Sequence, residues 1–85
     1  MKLLLCTKCS DVFSLRHEQK TCSCGKTKGR YIDDTNAVYS GEYAVGLGFK
    51  NDSFVYAIFN RPIKGLGKTF ESWVMPLDCL SFTRE

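Results

Sequence analysis

Four cysteines near the N-terminus fall as Cys6-x2-Cys9-x12-Cys22-x-Cys24, followed directly by Gly25, and this spacing constrains the fold more than any other feature. Each close pair can form a tight turn whose two sulfurs point to one place. The twelve-residue spacer lets the chain run out and return, so that both turns face one tetrahedral ion. Gly25 stands where such a turn often needs positive φ. The first pair lacks that glycine and carries Ser10 instead, and the second pair is one residue shorter than the commoner C-x-x-C. Lys8 and Lys26 flank the two turns and offset the charge of four thiolates. The expected cofactor is one structural zinc ion held by Cys6, Cys9, Cys22 and Cys24. An iron site would use the same four sulfurs, so the spacing leaves zinc and iron open. A redox C-x-x-C would need a strand-to-helix context, which residues 1–15 do not show.

A metal also suits the size of the chain. Eighty-five residues make a single domain, 1–85, with a small core. Net stability in this size range is about 5 kcal/mol. A structural zinc contributes on the order of 10–16 kcal/mol in small finger peptides. Without it, residues 1–30 are expected to lose their fold. Apolar residues at 44% and charged residues at 25% argue against disorder. The N-terminal Met-Lys-Leu-Leu-Leu-Cys has neither an h-region nor a small-residue cleavage site, and no stretch reaches the roughly 18 apolar residues of a membrane span. The expectation is a cytoplasmic protein, away from membranes, with reduced cysteines.

The remaining sequence reads as β-rich (α+β). Short strands are expected at 2–5 and 12–15 around the first cysteine pair, at 29–32 after the second, and then at 37–40, 43–49 and 70–75. Residues 1–32 form the zinc-ribbon half, and residues 33–85 continue it with antiparallel strands. Asp33-Asp34-Thr35-Asn36 is a turn by composition. Gly46 and Gly48 share one strand face and mark a bulge or a close approach by another element. Asn51-Asp52-Ser53 offers helix caps and Pro62 a stop, so one short helix is expected near 53–60, although the β-branched and aromatic content would also suit a strand.

Motifs for catalysis fail. Gly67-Lys68-Thr69 resembles the end of a phosphate-binding loop, but the required upstream glycine is Pro62. A single histidine, His17, and no open metal position leave nothing to drive nucleophilic or metal-assisted chemistry. His17 reads as a solvated turn residue, and Cys79 as a small core residue.

The run Cys-Thr-Lys-Cys-Ser-Asp-Val-Phe-Ser-Leu, followed by Cys-Ser-Cys-Gly-Lys-Thr-Lys-Gly-Arg-Tyr-Ile-Asp-Asp, resembles the zinc-ribbon or rubredoxin-like class. Residues 22–34 with Asn36-Ala37-Val38-Tyr39-Ser40-Gly41 are similar to a set of short uncharacterised proteins of phages and bacteria. That similarity continues through Pro62 and the 70–76 segment. The resemblance implies a fold and a metal site but no activity, and phage membership would imply an accessory role against host defence.

Three functions are compatible with these readings. The leading one is a non-enzymatic binding module that engages a partner protein through aromatics such as Tyr31, Tyr39, Tyr43, Tyr56 or Trp73. A second is nucleic-acid binding by Lys8, Arg16, Lys20, Lys26, Lys28 and Arg30. Residues 1–30 carry seven Lys/Arg against Asp11 and Glu18, although four zinc-bound thiolates would reduce that excess by two charges. The third is a phage inhibitor that blocks a defence protein or sequesters a nucleotide, with Arg61, Lys64 and Lys68 near Phe59 and Phe70 as anion contacts. A homo-oligomer is compatible with each.

Overall fold

The computed structural model describes residues 1–85 as two four-stranded sheets and one short helix. The elements run β1 (Lys2–Cys6), β2 (Val12–Ser14), β3 (Lys20–Thr21), β4 (Lys28–Tyr31), β5 (Ala37–Ser40), β6 (Ala44–Phe49), α1 (Asn51–Phe59), β7 (Ser72–Val74) and β8 (Phe82–Arg84). The first sheet has the order β2-β1-β6-β7 and the second β3-β4-β5-β8. The chain is β-rich with one helix, as its sequence pattern implies.

The two sheets cut across the division at residue 32. β1 pairs with β6 over five residues, from Lys2 opposite Gly48 to Cys6 opposite Ala44. β4 pairs with β5 from Lys28 opposite Ser40 to Tyr31 opposite Ala37. Each sheet therefore joins a strand beside a cysteine pair to strands from the later sequence. The expectation of antiparallel strands throughout also needs one correction, since β8 runs parallel to β5, with Phe82 opposite Ala37. The 70–75 strand shortens to Ser72–Val74.

The sheets pack face to face over Leu4 and Ala44 from the first and Ala37, Tyr39 and Phe82 from the second, with Leu15 closing the cluster. Phe82 meets Tyr39 edge-on at a ring separation of 5.0 Å. Glycines allow this approach. A Cβ at Gly29 would lie 3.1 Å from Leu15 Cδ2 and would also strike Leu4 Cδ1. A Cβ at Gly46 would meet Phe82 and Met75 at 3.0 Å, and one at Gly48 would overlap the Trp73 indole. The close approach expected at Gly46 and Gly48 is thus supplied by Phe82, Met75 and Trp73.

α1 starts earlier than the 53–60 reading. Asn51 does not act as the cap, because its Oδ1 accepts a 2.8 Å hydrogen bond from the N-terminal amine. Ser53 Oγ instead accepts from Glu71 N–H at 2.8 Å. The N-cap is Lys50, with no side-chain cap bond. The helix ends at Asn60, whose backbone and side-chain N–H groups both donate to the Tyr56 carbonyl, two residues before Pro62. Phe49, Phe54 and Phe70 form a second aromatic cluster at the helix start, with ring separations of 4.8–5.5 Å. No helix is long and apolar enough to cross a membrane.

Candidate metal centre

Cys6 is the last residue of β1, so the first sheet fixes its position. Cys22 follows β3 and opens the turn into β4, so the second sheet fixes the other pair. Both residues are buried, whereas Cys9 is half-buried and Cys24 exposed. In the first turn Ser10 N–H donates to the Cys6 carbonyl at 2.7 Å, and in the second Gly25 N–H donates to the Cys22 carbonyl at 3.0 Å. These bonds curl each turn so that its sulfurs converge. Asp11 links the turns, with Oδ2 accepting from Ser23 N–H at 2.9 Å and from its hydroxyl at 3.1 Å.

All four Sγ atoms lie within 4.8 Å of one another. Cys6 and Cys24 sulfurs are 3.7 Å apart, and Cys22 and Cys24 sulfurs 3.6 Å. A tetrahedron with metal–sulfur bonds of about 2.3 Å has edges of about 3.8 Å. Two edges already match that figure, so the cluster could hold one metal ion.

The surroundings favour thiolates. Thr27 is fully buried, and its backbone N–H donates to Cys22 Sγ at 3.3 Å. Its hydroxyl has no hydrogen-bond partner. It acts on the Cys6 sulfur, lowering that thiol's pKa. A buried hydroxyl without an oxygen or nitrogen partner is costly unless an anion takes its proton, and a metal-bound thiolate at Cys6 would do so. At Cys22 burial raises the pKa, but the Thr27 N–H and the neighbouring thiols outweigh it and hold the group at about 6. At Cys24 the Lys26 N–H lowers the pKa, while burial and the other thiols push it up to about 11. In the metal-free cluster one proton thus leaves readily and another is held tightly, because several thiolates cannot crowd together without a cation. A divalent ion would supply that cation.

The other candidate residues scatter. His17 is exposed, with its ring 6.0 Å from that of Tyr31, and takes no part in the cluster. Cys79 is half-buried against the core and within 3.7 Å of Ser81 Oγ. Lys8, Arg16, Lys26 and Lys28 are exposed. Lys8 and Lys20 sit over Tyr43 and Phe13, and Arg30 faces Glu85 at 4.0 Å. Arg61, Lys64 and Lys68 are exposed and line no cavity; Lys68 lies over Tyr56. The one cavity, of about 180 Å³, opens elsewhere, among Tyr39, Val45, Met75 and Arg84. Among the aromatics expected to contact a partner, Tyr39 is buried, Tyr31 and Tyr43 are half-buried, and Tyr56 and Trp73 are at the surface. Sequence reasoning missed Thr27 and Asp11 as supports of the site. Thr27, three residues after a cysteine, gave only a weak sign, and the reach of Asp11 across to Ser23 gave none.

No family model, curated protein or solved structure matches this chain. The likeness to zinc ribbons therefore rests on the four cysteines and their geometry.

Proposed function

We propose that this chain is a non-catalytic binding module, shaped by one structural zinc ion at Cys6, Cys9, Cys22 and Cys24, that engages a partner protein. The observation that carries the metal reading is the clustering of four sulfurs within 4.8 Å of one another, with two pairs at 3.6–3.7 Å. Four protein ligands fill the coordination shell and leave no position for a substrate, which is the pattern of a structural site. The ion would tie the end of β1 in one sheet to the β3–β4 turn of the other, acting as a clasp between the sheets.

Support for a protein partner comes from the surface. Ile63, Leu66, Leu77 and Leu80 are almost wholly exposed, and Val55, Ile58, Phe59 and Val74 are exposed with them. Scattered apolar residues are ordinary, but so many exposed ones between 55 and 80 support the reading of an interaction surface. Several basic residues around the cysteines already lie over aromatic rings of this chain or face Glu85, which lends less support to a nucleic-acid target.

Elemental analysis and native mass spectrometry of freshly purified chain test the metal: one zinc per chain is expected, and iron or no metal would overturn the assignment. Cross-linking in the source cells tests the partner. Adducts at residues 55–80 are expected, and their absence, for any protein including this one, removes the partner reading.

A further inference from the structure

The inward positions of β6 are small. Ala44, Gly46 and Gly48 face the core in alternation, at positions that sandwich strands more often fill with branched or aromatic side chains. Trp73 takes the place beside Gly48, and Phe82 and Met75 approach Gly46. Around Ala44 and Gly46 a cavity of about 180 Å³ remains, walled also by Tyr39, Val74 and Met75. Val74 belongs to β7 and Arg84, another wall residue, to β8. These are the outermost strands of their sheets, so the cavity lies where the core meets two open sheet edges. An apolar cavity of about 150 Å³ is large enough for benzene, so this one takes one compact ring or branched aliphatic group.

Only one wall residue is charged. The Cζ of Arg84 lies 4.9 Å from the centre of the Tyr39 ring, and its Nη1 donates to the Gly41 carbonyl. These contacts hold the guanidinium over a buried ring and use one of its five N–H groups. Arg84 is otherwise exposed, and no carboxylate of this chain pairs with it, since the ion pairs join Arg30 to Glu85 and Lys50 to Glu71. No acidic residue lines the cavity. A positioned guanidinium with N–H groups to spare, beside an apolar cavity, matches a ligand with an apolar body and an anionic end. Guanidinium takes a carboxylate through two parallel hydrogen bonds. One arginine balances one negative charge, which suits a carboxylate better than the nearly doubly charged phosphate monoester.

We propose that this cavity binds a compact apolar carboxylate, with its body against Ala44, Gly46 and Met75 and its charged end on Arg84. Two sources offer that chemistry, a free aromatic or branched aliphatic acid and the C-terminal residue of a peptide. The site goes beyond the partner reading above and is independent of it.

Titration of the full chain as purified with benzoate, followed by amide resonances, tests it. Saturable shifts are expected at residues 44–46, 74–75 and 84. Benzyl alcohol keeps the ring without the charge, and acetate keeps the charge without the ring. Each is expected to bind at least about tenfold more weakly than benzoate. Arg84→Gln should weaken benzoate by about tenfold or more. Val74→Glu sets a like charge at the cavity, leaves the contacts of Arg84 in place and should also weaken benzoate. Both variants are expected to keep the circular dichroism and metal content of the wild type. N-acetyl-Gly-Ser-Leu and its C-terminal amide separate the sources. A peptide acid that binds more tightly than benzoate and than its own amide assigns a chain end, whereas benzoate as the tighter ligand assigns a free acid. No saturable shift with either acid, equal binding of benzyl alcohol, indifference to Arg84→Gln, or tighter binding of phenyl phosphate each overturns the proposal. Such a failure leaves the metal and partner readings standing, because neither the zinc count nor cross-links at 55–80 depend on it.

Discussion

The two cysteine turns reach one geometry by different means. The first is the longer, Cys6 to Cys9, and its closing residue Ser10 adopts φ 63°. The second, Cys22 to Cys24, is a residue shorter and closes on Gly25 at φ 79°. Both need a left-handed residue after the second cysteine, and one of them meets that need with glycine. The first turn is held to the first sheet: Thr7 N–H and its hydroxyl both donate to the Tyr43 carbonyl, at 2.9 and 3.1 Å. The second is held to the other sheet by Thr27, whose carbonyl accepts from Cys22 N–H at 2.9 Å and whose N–H reaches the sulfur. A strained turn on one sheet thus faces a relaxed turn on the other, and a metal held by the four sulfurs would join them. In each turn the first cysteine is buried and the second is more exposed.

Removing a metal bound at the four sulfurs would release both turns at once and should have the largest effect. Treatment with a strong chelator is expected to cost on the order of 10 kcal/mol of stability and to collapse the dispersed amide resonances of residues 1–30. Single ligand losses should divide by burial. Cys6→Ala and Cys22→Ala open holes at buried positions that water enters poorly, and both should prevent folding. Cys24→Ala lies at the surface, where water can complete the shell, so folded but weaker-binding protein is expected. Equal damage from all three, read by zinc stoichiometry and thermal melts, would mean that burial does not rank the ligands.

Thr27 comes next. Thr27→Val keeps the N–H to Cys22 Sγ and deletes the buried hydroxyl that acts on the Cys6 sulfur. Loss of an outer support of this kind lowers metal affinity by about 10–100-fold. Competition against a coloured chelator measures it. If the hydroxyl were only an unsatisfied core group, the valine variant would bind metal as well as wild type and melt higher.

These supports also show where the sequence was legible and where it was not. The clustering of the four cysteines could be read because sulfur chemistry and spacing are local. The absence of glycine after Cys9 was equally visible, and the chain adopts the left-handed backbone there with Ser10 regardless. The helix could be read from Pro62 behind it, but not its first turn, because the group occupying Asn51 is the distant N-terminal amine. β8 left almost no local trace: three residues with Phe82 as the one apolar side chain, ordered by parallel pairing with Ala37 and contact with Gly46. The pairing of β1 with β6, some forty residues apart, is set by which faces fit together, and no spacing rule encodes that.

Exchanging the turn residues sharpens the contrast at smaller scale. A non-glycine residue in the left-handed region costs about 1–2 kcal/mol, partly offset on exchange for glycine by the extra chain entropy glycine loses on folding. Ser10→Gly should therefore stabilise the holo protein by up to about 1 kcal/mol, and Gly25→Ala should destabilise it by about the same. No atom lies within 4 Å of a Cβ at Gly25, so backbone conformation alone sets that cost. Urea unfolding of both variants checks the pair, and equal signs would refute the idea that the turns are strained unequally.

The smallest effect concerns a third turn that gathers hydrogen bonds onto an anion without a metal. Asp33 Oδ1 accepts from the N–H groups of Thr35 and Asn36 at 2.9 and 2.7 Å, and the Asn36 amide donates to Oδ2 at 2.9 Å. The Asn36 side chain first, then the two backbone donors, lower the Asp33 pKa to about 2. A carboxylate whose folded pKa lies below its unfolded value stabilises the fold above that unfolded value, near 4, and loses the contribution as pH falls toward 2. The group is solvent-exposed, so the effect is modest. With a metal bound, the cysteine cluster would respond to acid as well, since protons compete with the ion for sulfur. Asp33→Ala separates the two. It should flatten stability between about pH 4 and 2 while leaving the pH of metal release unchanged. If it shifted metal release instead, the turn would be coupled to the sulfur site through β4, and the two anion-binding designs would not be independent.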